Sequence, residues 1–345
     1  MSAQKSNTKK YVLFIVLLLA GLIFSLFFCL SMGSATLSAS EVFGIITGNI
    51  SDTVSPGTVS IILDIRLPRV LGAALFGGAL SLSGFLLQVF FQNPLAGPYV
   101  LGISSGAKLF VAILMIILLS NGSVMSSGMS VLAAFMGSLL SMGVVLLLSL
   151  RVKTMSILII CGVMTGYICS AITDLIVTFA SDSDIVNLHN WSLGSFSGLS
   201  SENVLLSAVL ILIAFVAVLF MSKPISAFSL GETYARSVGV NIKLLRVFLI
   251  IFSSLLSAVV TAFAGPVSFV GIAVPHLARL FTRTMKPLVM IPVSFLLGAI
   301  VTLFCDTVAR CAFSPTEVSV SSITAVALVP IVIILLLKGR GERNG

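Results

Sequence analysis

Charge is what this sequence has least of. Among 345 residues only 19 are Lys or Arg and 11 are Asp or Glu, 9% of the chain, where a soluble domain carries about 25%. So few charges cannot cover the surface of a water-exposed globule of this size, which excludes an ordinary soluble domain. Histidine is nearly absent, with only His189 and His276, so paired-histidine ligation of haem or metal would be hard to build. The five cysteines, Cys29, Cys161, Cys169, Cys305 and Cys311, lie in or beside apolar runs without a C-x-x-C pair. They read as small core residues rather than a zinc or disulfide framework. There is also no G-x-x-x-x-G-K-[ST] phosphate loop, no H-E-x-x-H and no paired intramembrane carboxylate, which argues against an ATPase or protease site in this chain.

What the sequence has is apolar length. Hydrophobic residues make up 58%, about 200 residues, enough for about ten spans of about 20 residues each. Ten apolar runs separated by loop signals fall at 11–31, 66–91, 98–119, 129–150, 156–180, 204–221, 244–264, 267–281, 288–308 and 321–337. The first is longer than the 7–15 apolar residues of a signal peptide and is followed by further spans, so it reads as a retained helix. With a cytoplasmic N-terminus, 15 of the 19 basic residues fall in inner segments, a positive-inside pattern that predicts both termini in the cytoplasm. The exceptions are Arg66, Arg69, Arg310 and Lys108. Net charge is +8, but the basic residues are scattered through short loops rather than gathered on one face, so nucleic acid is not an expected partner.

The fold class expected is an all-α integral membrane protein, a compact ten-helix bundle. Residues 1–10 form an N-terminal tail, 11–338 one ten-helix transmembrane domain with a cytoplasmic loop at 222–243, and 339–345 a C-terminal tail. Small residues at Gly72, Ala73, Gly77, Gly78 and Gly84, and at Gly102 and Gly106, let helix backbones approach closely in lipid. Two segments resemble each other, Ala96-Gly97-Pro98 through Gly102-Ile103 and Ala264-Gly265-Pro266 through Gly271-Ile272. They open from opposite sides of the membrane, as an inverted repeat would leave them; the alternative is that Gly-Pro simply suits helix starts.

The loop at 222–243 contains a small helix between Ser229 and Gly239. Ser229 and Glu232 have capping-box spacing, and Gly239 suits a left-handed helix end. Leu230, Tyr234 and Val238 form an apolar stripe on a helix too short to be stable alone, so the stripe packs either on the bundle's own end or in the groove of a cytoplasmic subunit. Asn93-Pro94-Leu95-Ala96-Gly97-Pro98 forces a rigid turn. His276, in Pro275-His276-Leu277-Ala278-Arg279, reads as either a packed, hydrogen-bonded residue or a ligand or proton relay. Lys108 and Asp174 are the two charges expected within the apolar region, each costing about 2.5–3.5 kcal/mol at a helix centre unless paired or facing a polar interior.

Together these residues resemble the membrane permease subunit of binding-protein-dependent ABC importers for iron chelates and vitamin B12, the type II importers. The resemblance runs from the first span to Lys338. It is carried by Arg66-Leu67-Pro68-Arg69, Gln88, Asn93-Pro94-Leu95-Ala96, Leu101-Gly102, Ser105-Gly106-Ala107, Leu230-Gly231-Glu232, Ala235, Gly239-Val240, Gly265-Pro266, Phe269-Val270-Gly271, Pro275-His276, Arg279, Gly298-Ala299, Asp306, Arg310, Glu317 and Pro330. It departs at Lys108, where a small or apolar residue is expected, and at Leu328, where a glycine is usual.

The resemblance implies ten helices per subunit and a path between two permeases, either a homodimer or a pair of close paralogues, in the bacterial cytoplasmic membrane. Two cytoplasmic ATPase subunits would hold ATP and Mg, no cofactor would be bound by this chain, and a substrate-binding protein would dock outside. It assigns Ser229, Leu230, Gly231, Glu232, Tyr234, Ala235, Arg236 and Gly239 to coupling with the ATPase. It assigns Arg66, Arg69 and Arg310 to docking of the binding protein, with interfacial snorkelling of these arginines as the alternative. The cargo implied is an iron chelate, with haem or cobalamin as other members' cargoes. A competing reading is an ion-coupled secondary carrier using Asp174; a membrane enzyme lacks a catalytic constellation. If Lys108 faces the path and favours an anionic chelate, Lys108→Ala lowers uptake of anionic substrates selectively, and uptake unchanged across substrates refutes that role.

Overall fold

The computed structural model of the chain describes residues 2–33, 38–49, 54–120, 127–152 and 154–341; Asp52, Lys153 and Arg343 of the charge pattern lie outside them. Every regular element among these residues is helical. In chain order they are α1 (Ser2–Ser31), α2 (Ala39–Thr47), α3 (Pro56–Ser60), α4 (Leu67–Phe91), α5 (Ile103–Ser120), α6 (Ser127–Arg151), α7 (Met155–Val177) and α8 (Asp182–Ser192). Then follow α9 (Ser201–Phe220), α10 (Ser222–Ser229), α11 (Glu232–Ser237), α12 (Ile242–Ala264), α13 (Val270–Thr282), α14 (Pro287–Cys311) and α15 (Val320–Gly341). A π-helical turn, Ile61–Arg66, joins α3 to α4, and a 3-10 turn, Pro98–Leu101, precedes α5. Among the described residues seven helices are long and apolar enough to cross a membrane, and three shorter apolar ones, Ile103–Leu118, Val270–Thr282 and Val320–Leu335, occupy the remaining expected runs.

The bundle is organised around α4, which is buried along almost its whole length. Its small residues explain why. Gly77 lies against the Gly298 carbonyl and Thr302 of α14, and Gly84 lies on the Gly271 backbone of α13. With no side chain intervening, the helices make close van der Waals contact, the association force that remains where lipid is as apolar as the helices. Ser83 Oγ lies 2.6 Å from the Ser253 carbonyl and 2.7 Å from Ser257 Oγ on α12. Phe76 stacks on Phe263, 6.4 Å between ring centres. Residue 76 meets 263 while 83 meets 253 and 257, so α4 and α12 run antiparallel.

The two Gly-Pro segments meet in space. Pro98 packs on Gly271, Gly97 on Ile272, and the Val267 amide donates to Tyr99 Oη at 2.9 Å. The order 97–98–99 against 272–271–267 means that the segments pass antiparallel, the arrangement an inverted pair produces. Here α13 holds only 13 residues, about 20 Å of helix, short of a hydrocarbon core about 30 Å thick. The eighth expected span is therefore a half-length helix fed by an irregular strand, Gly265–Phe269. Gly265 starts that strand at φ 71° and ψ −176°, a region open essentially only to glycine. Gln88 Nε2 donates to the Ile272 carbonyl at 3.1 Å, and Ser321 Oγ to the Pro266 carbonyl at 2.6 Å, so protein groups satisfy backbone that water would otherwise have to reach.

Gly84→Ala should force α4 off α13 and lower stability by roughly 1–3 kcal/mol, the usual cost of overpacking, read as an earlier unfolding transition in detergent. Gly143→Ala is the control: a Cβ there meets nothing within 4 Å and the transition should not fall.

Candidate functional site

At the end of the bundle where α12 begins, the chain folds into two short helices. Ile225 and Phe228 of α10 are buried, as is Ala235 of α11, and these apolar anchors hold both helices to the bundle. The expected capping box between Ser229 and Glu232 is not formed. Ser229 is the last residue of α10 and donates to the Ile225 carbonyl at 2.9 Å. Gly231, at φ 118°, makes the sharp turn into α11, a geometry that leaves Ser229 on the wrong side of the break. Gly239 does take the expected positive φ, 84°.

Glu232 spends its carboxylate elsewhere. Oε1 accepts from Arg236 Nη2 at 2.8 Å and Oε2 from Arg246 Nη2 at 2.6 Å, tying α11 to the first turns of α12. A six-residue helix would not persist without such ties. On its other side Leu230, Tyr234 and Val238 are 71%, 49% and 53% exposed. The stripe does not pack on the bundle's own end, and it leaves an apolar ridge of the kind that marks an interaction surface.

At the opposite end the three outlying arginines come together around a cavity of about 390 Å³, with Gly33, Ile61 and Glu317. Arg69 is only 6% exposed. Its Nε donates to Asp306 Oδ1 at 3.1 Å, its Nη2 to the same oxygen at 3.0 Å, and its Nη1 to Glu317 Oε1 at 3.0 Å. Arg66 Nη1 donates to the Leu30 carbonyl at 3.0 Å and Arg310 Nη2 to the Cys29 carbonyl at 2.6 Å. Both acceptors lie in the last turn of α1, where carbonyls lack helical partners and favour cations.

These contacts correct the simple docking picture for Arg69. Its guanidinium already binds two carboxylates of its own chain and braces α4 against α14 and the loop after it. Snorkelling is also excluded for Arg66 and Arg69, since both side chains are buried rather than extended into water. The partner acids, Asp306 and Glu317, were visible in the sequence among the outer acids. Sequence alone did not pair them with Arg69; the signal available was that a cation violating the charge rule needs a counter-charge.

Lys108 is half-buried on α5 and Asp174 exposed on α7; the ion pairs among the described residues do not join them. Tyr99, Gly102, Ser105, Gly166, Tyr167 and Ser170 line a hollow of about 200 Å³ beside the meeting point of the two Gly-Pro segments. Asn93 accepts the Leu95 amide at 3.0 Å in the expected turn, Gly106 packs on α6 at Gly137, and Pro275 and half-buried His276 lie within α13.

A buried arginine fork at one end, a braced apolar ridge at the other and a half-length helix fed by irregular backbone between them suit a transport path. Residues 21–338 match the FecCD transport family. The chain belongs to that family. It is 36% identical to the vitamin B12 import system permease protein BtuC of Klebsiella pneumoniae over 81% of this chain and 83% of that one. The BtuC of Salmonella typhi is likewise 36% identical, over 79% and 82% of the two chains. A solved chain described as a metal-chelate type ABC transporter in an inward-facing conformation superposes with a TM-score of 0.82 at 27% identity, covering 94% of this chain and 99% of that chain. The protein is thus a non-catalytic permease subunit of an ABC importer of the metal-chelate and vitamin B12 type. It is a multi-pass membrane protein that works with ATPase and substrate-binding partners, and hydrolysis belongs to a separate subunit.

Arg69→Ala would leave the Asp306 carboxylate buried and unpaired, and should cost about 3–5 kcal/mol of stability, measured by denaturant unfolding in detergent. A variant as stable as the parent that only binds the substrate-binding protein less well would return Arg69 to the docking surface.

Proposed function

We propose that this chain forms half of the membrane path of an importer for a chelated metal, with an iron chelate such as a ferric siderophore as the first cargo. Two copies, or this chain and a close paralogue, enclose the path, with both termini in the cytoplasm of a bacterial cell. ATP and Mg belong to two ATPase subunits, and this chain binds no cofactor or metal of its own. The observation that carries the energy-coupling part of this reading is the exposed Leu230–Tyr234–Val238 ridge, held rigid by Glu232. A lone carrier has no use for an apolar ridge outside the membrane; a subunit pushed by a partner does.

Arg66 and Arg310 line the cavity at the far end, where a binding protein's carboxylates would find charge-assisted donors. Lys108, two residues beyond the Gly102–Gly106 stretch, gives the path a cation that suits an anionic chelate. Cobalamin is the second reading, favoured by the identity shared with two vitamin B12 permeases.

The test is reconstitution with ATPase and binding protein in vesicles, followed by ATP-dependent uptake of a ferric siderophore, haem and cobalamin. Tyr234→Asp, which places a charge on the ridge without touching Glu232, should reduce ATP-driven uptake at least about tenfold, equivalent to about 1.4 kcal/mol of lost coupling, while leaving the protein folded. Uptake that persists without the ATPase, driven by an ion gradient and unaffected by this substitution, refutes the reading in favour of an ion-coupled carrier.

A further inference from the structure

Between the end of α6, the short helix α11 and the start of α12 lies a cleft of about 650 Å³ that coupling does not explain. It is lined by Ser149, Val152, Glu232, Arg236, Ile242, Lys243 and Arg246. Three features mark it as a binding site for an anion. The first is charge: three cations face a single carboxylate, and that carboxylate, Glu232, is shared between Arg236 and Arg246. The second is an unmet donor. Arg246 Nε is buried without a hydrogen-bond partner, although its Nη2 holds Glu232 at 2.6 Å. A buried donor on a charged group that finds no acceptor in the protein is costly, and a bound anion removes the cost. The third is that Lys243, also on the wall, is exposed and is not among the residues that form ion pairs in the described structure.

The depth of the cleft selects the kind of anion. The apolar run of α12 begins at Leu244, between Lys243 and Arg246, and that of α6 ends at Leu150, just before Arg151. The cleft therefore lies where the hydrocarbon slab gives way to the headgroup layer. Its walls are mixed in the matching sense, with Val152 and Ile242 offering apolar surface beside Lys243 and the two arginines. A phosphodiester attached to acyl chains fits that combination, and basic pockets between spanning helices are where anionic headgroups bind.

We propose that this cleft binds the phosphate of an anionic phospholipid, and that the bound lipid braces α11 against α12. The phosphate accepts from the Lys243 ammonium and from guanidinium N–H groups of Arg236 and Arg246 that Glu232 does not engage, while Glu232 keeps its two arginines. The coupling helix is then held in place by the membrane itself as well as by the protein. The inference rests on the membrane setting and the cleft, and stands whichever cargo the path carries.

The test uses the full chain purified in mild detergent and examined by native mass spectrometry with phosphatidylglycerol or zwitterionic phosphatidylcholine. The parent should retain phosphatidylglycerol at least fivefold over phosphatidylcholine, and a Lys243→Gln/Arg236→Gln variant should bring the ratio within twofold. That variant keeps Arg246 and its bond to Glu232, and its folding is checked by its unfolding transition. Lys223→Gln, which removes an exposed lysine of the same loop away from the cleft, should retain the parent's preference. An unchanged preference in the double variant, or an equal loss in Lys223→Gln, overturns the site. Inorganic phosphate that displaces the lipid at equal concentration assigns the anion to solution and overturns the lipid. A double variant that weakens ATPase binding but retains phosphatidylglycerol gives the cleft to a carboxylate of that partner and likewise overturns the proposal.

Discussion

Inside a bilayer every backbone N–H and C=O must find its partner within the protein, and the rest of this structure follows from how that demand is met. Continuous helices meet it along most of the chain. The exceptions are the two Gly-Pro segments, which leave helical geometry while buried in the bundle and so must be sealed by protein. Tyr99, Gln88 and Ser321 do this with single hydrogen bonds to Val267, Ile272 and Pro266. The glycines of α4 make the sealing feasible, because only a helix without side chains on that face can lie close enough to cover the break. Irregular backbone, small residues and isolated hydroxyls are thus one solution to one constraint.

Charge obeys the same economy. Removing an arginine from water is tolerated only with compensation, and each outlying arginine has one. Arg69 has two carboxylates; Arg66 and Arg310 have the open carbonyls at the end of α1. At the other end Glu232 serves two arginines. In a chain with so few ionised groups, these contacts cluster at the two ends of the bundle and hold together the helices that reach them.

Much of this was legible in the sequence because the signals were local or periodic. The ten apolar runs, the Gly-rich α4, the short helix after α10 and the clustered family motifs all depend on residues a few positions apart. The misreadings share a different cause. The capping box at Ser229 was a correct local pattern overridden by Gly231, whose turn served the packing of Phe228 and Ala235. Arg69 and its acids stand 237 and 248 positions apart, and the Gly-Pro segments meet across 168. Pairings of that kind are decided by tertiary packing, and no local pattern in the sequence specifies them.

The bond between Glu232 and Arg246 has a mechanical consequence. It fastens α11 to the starting turns of α12 rather than to α10, and α12 runs as one stiff rod of 23 residues, about 35 Å. Its far end is Gly265, the first residue of the irregular strand leading to α13. Were a partner to displace α11 at Tyr234, the movement would be carried along that rod to Gly265, whose positive φ starts the irregular strand at the rod's tip.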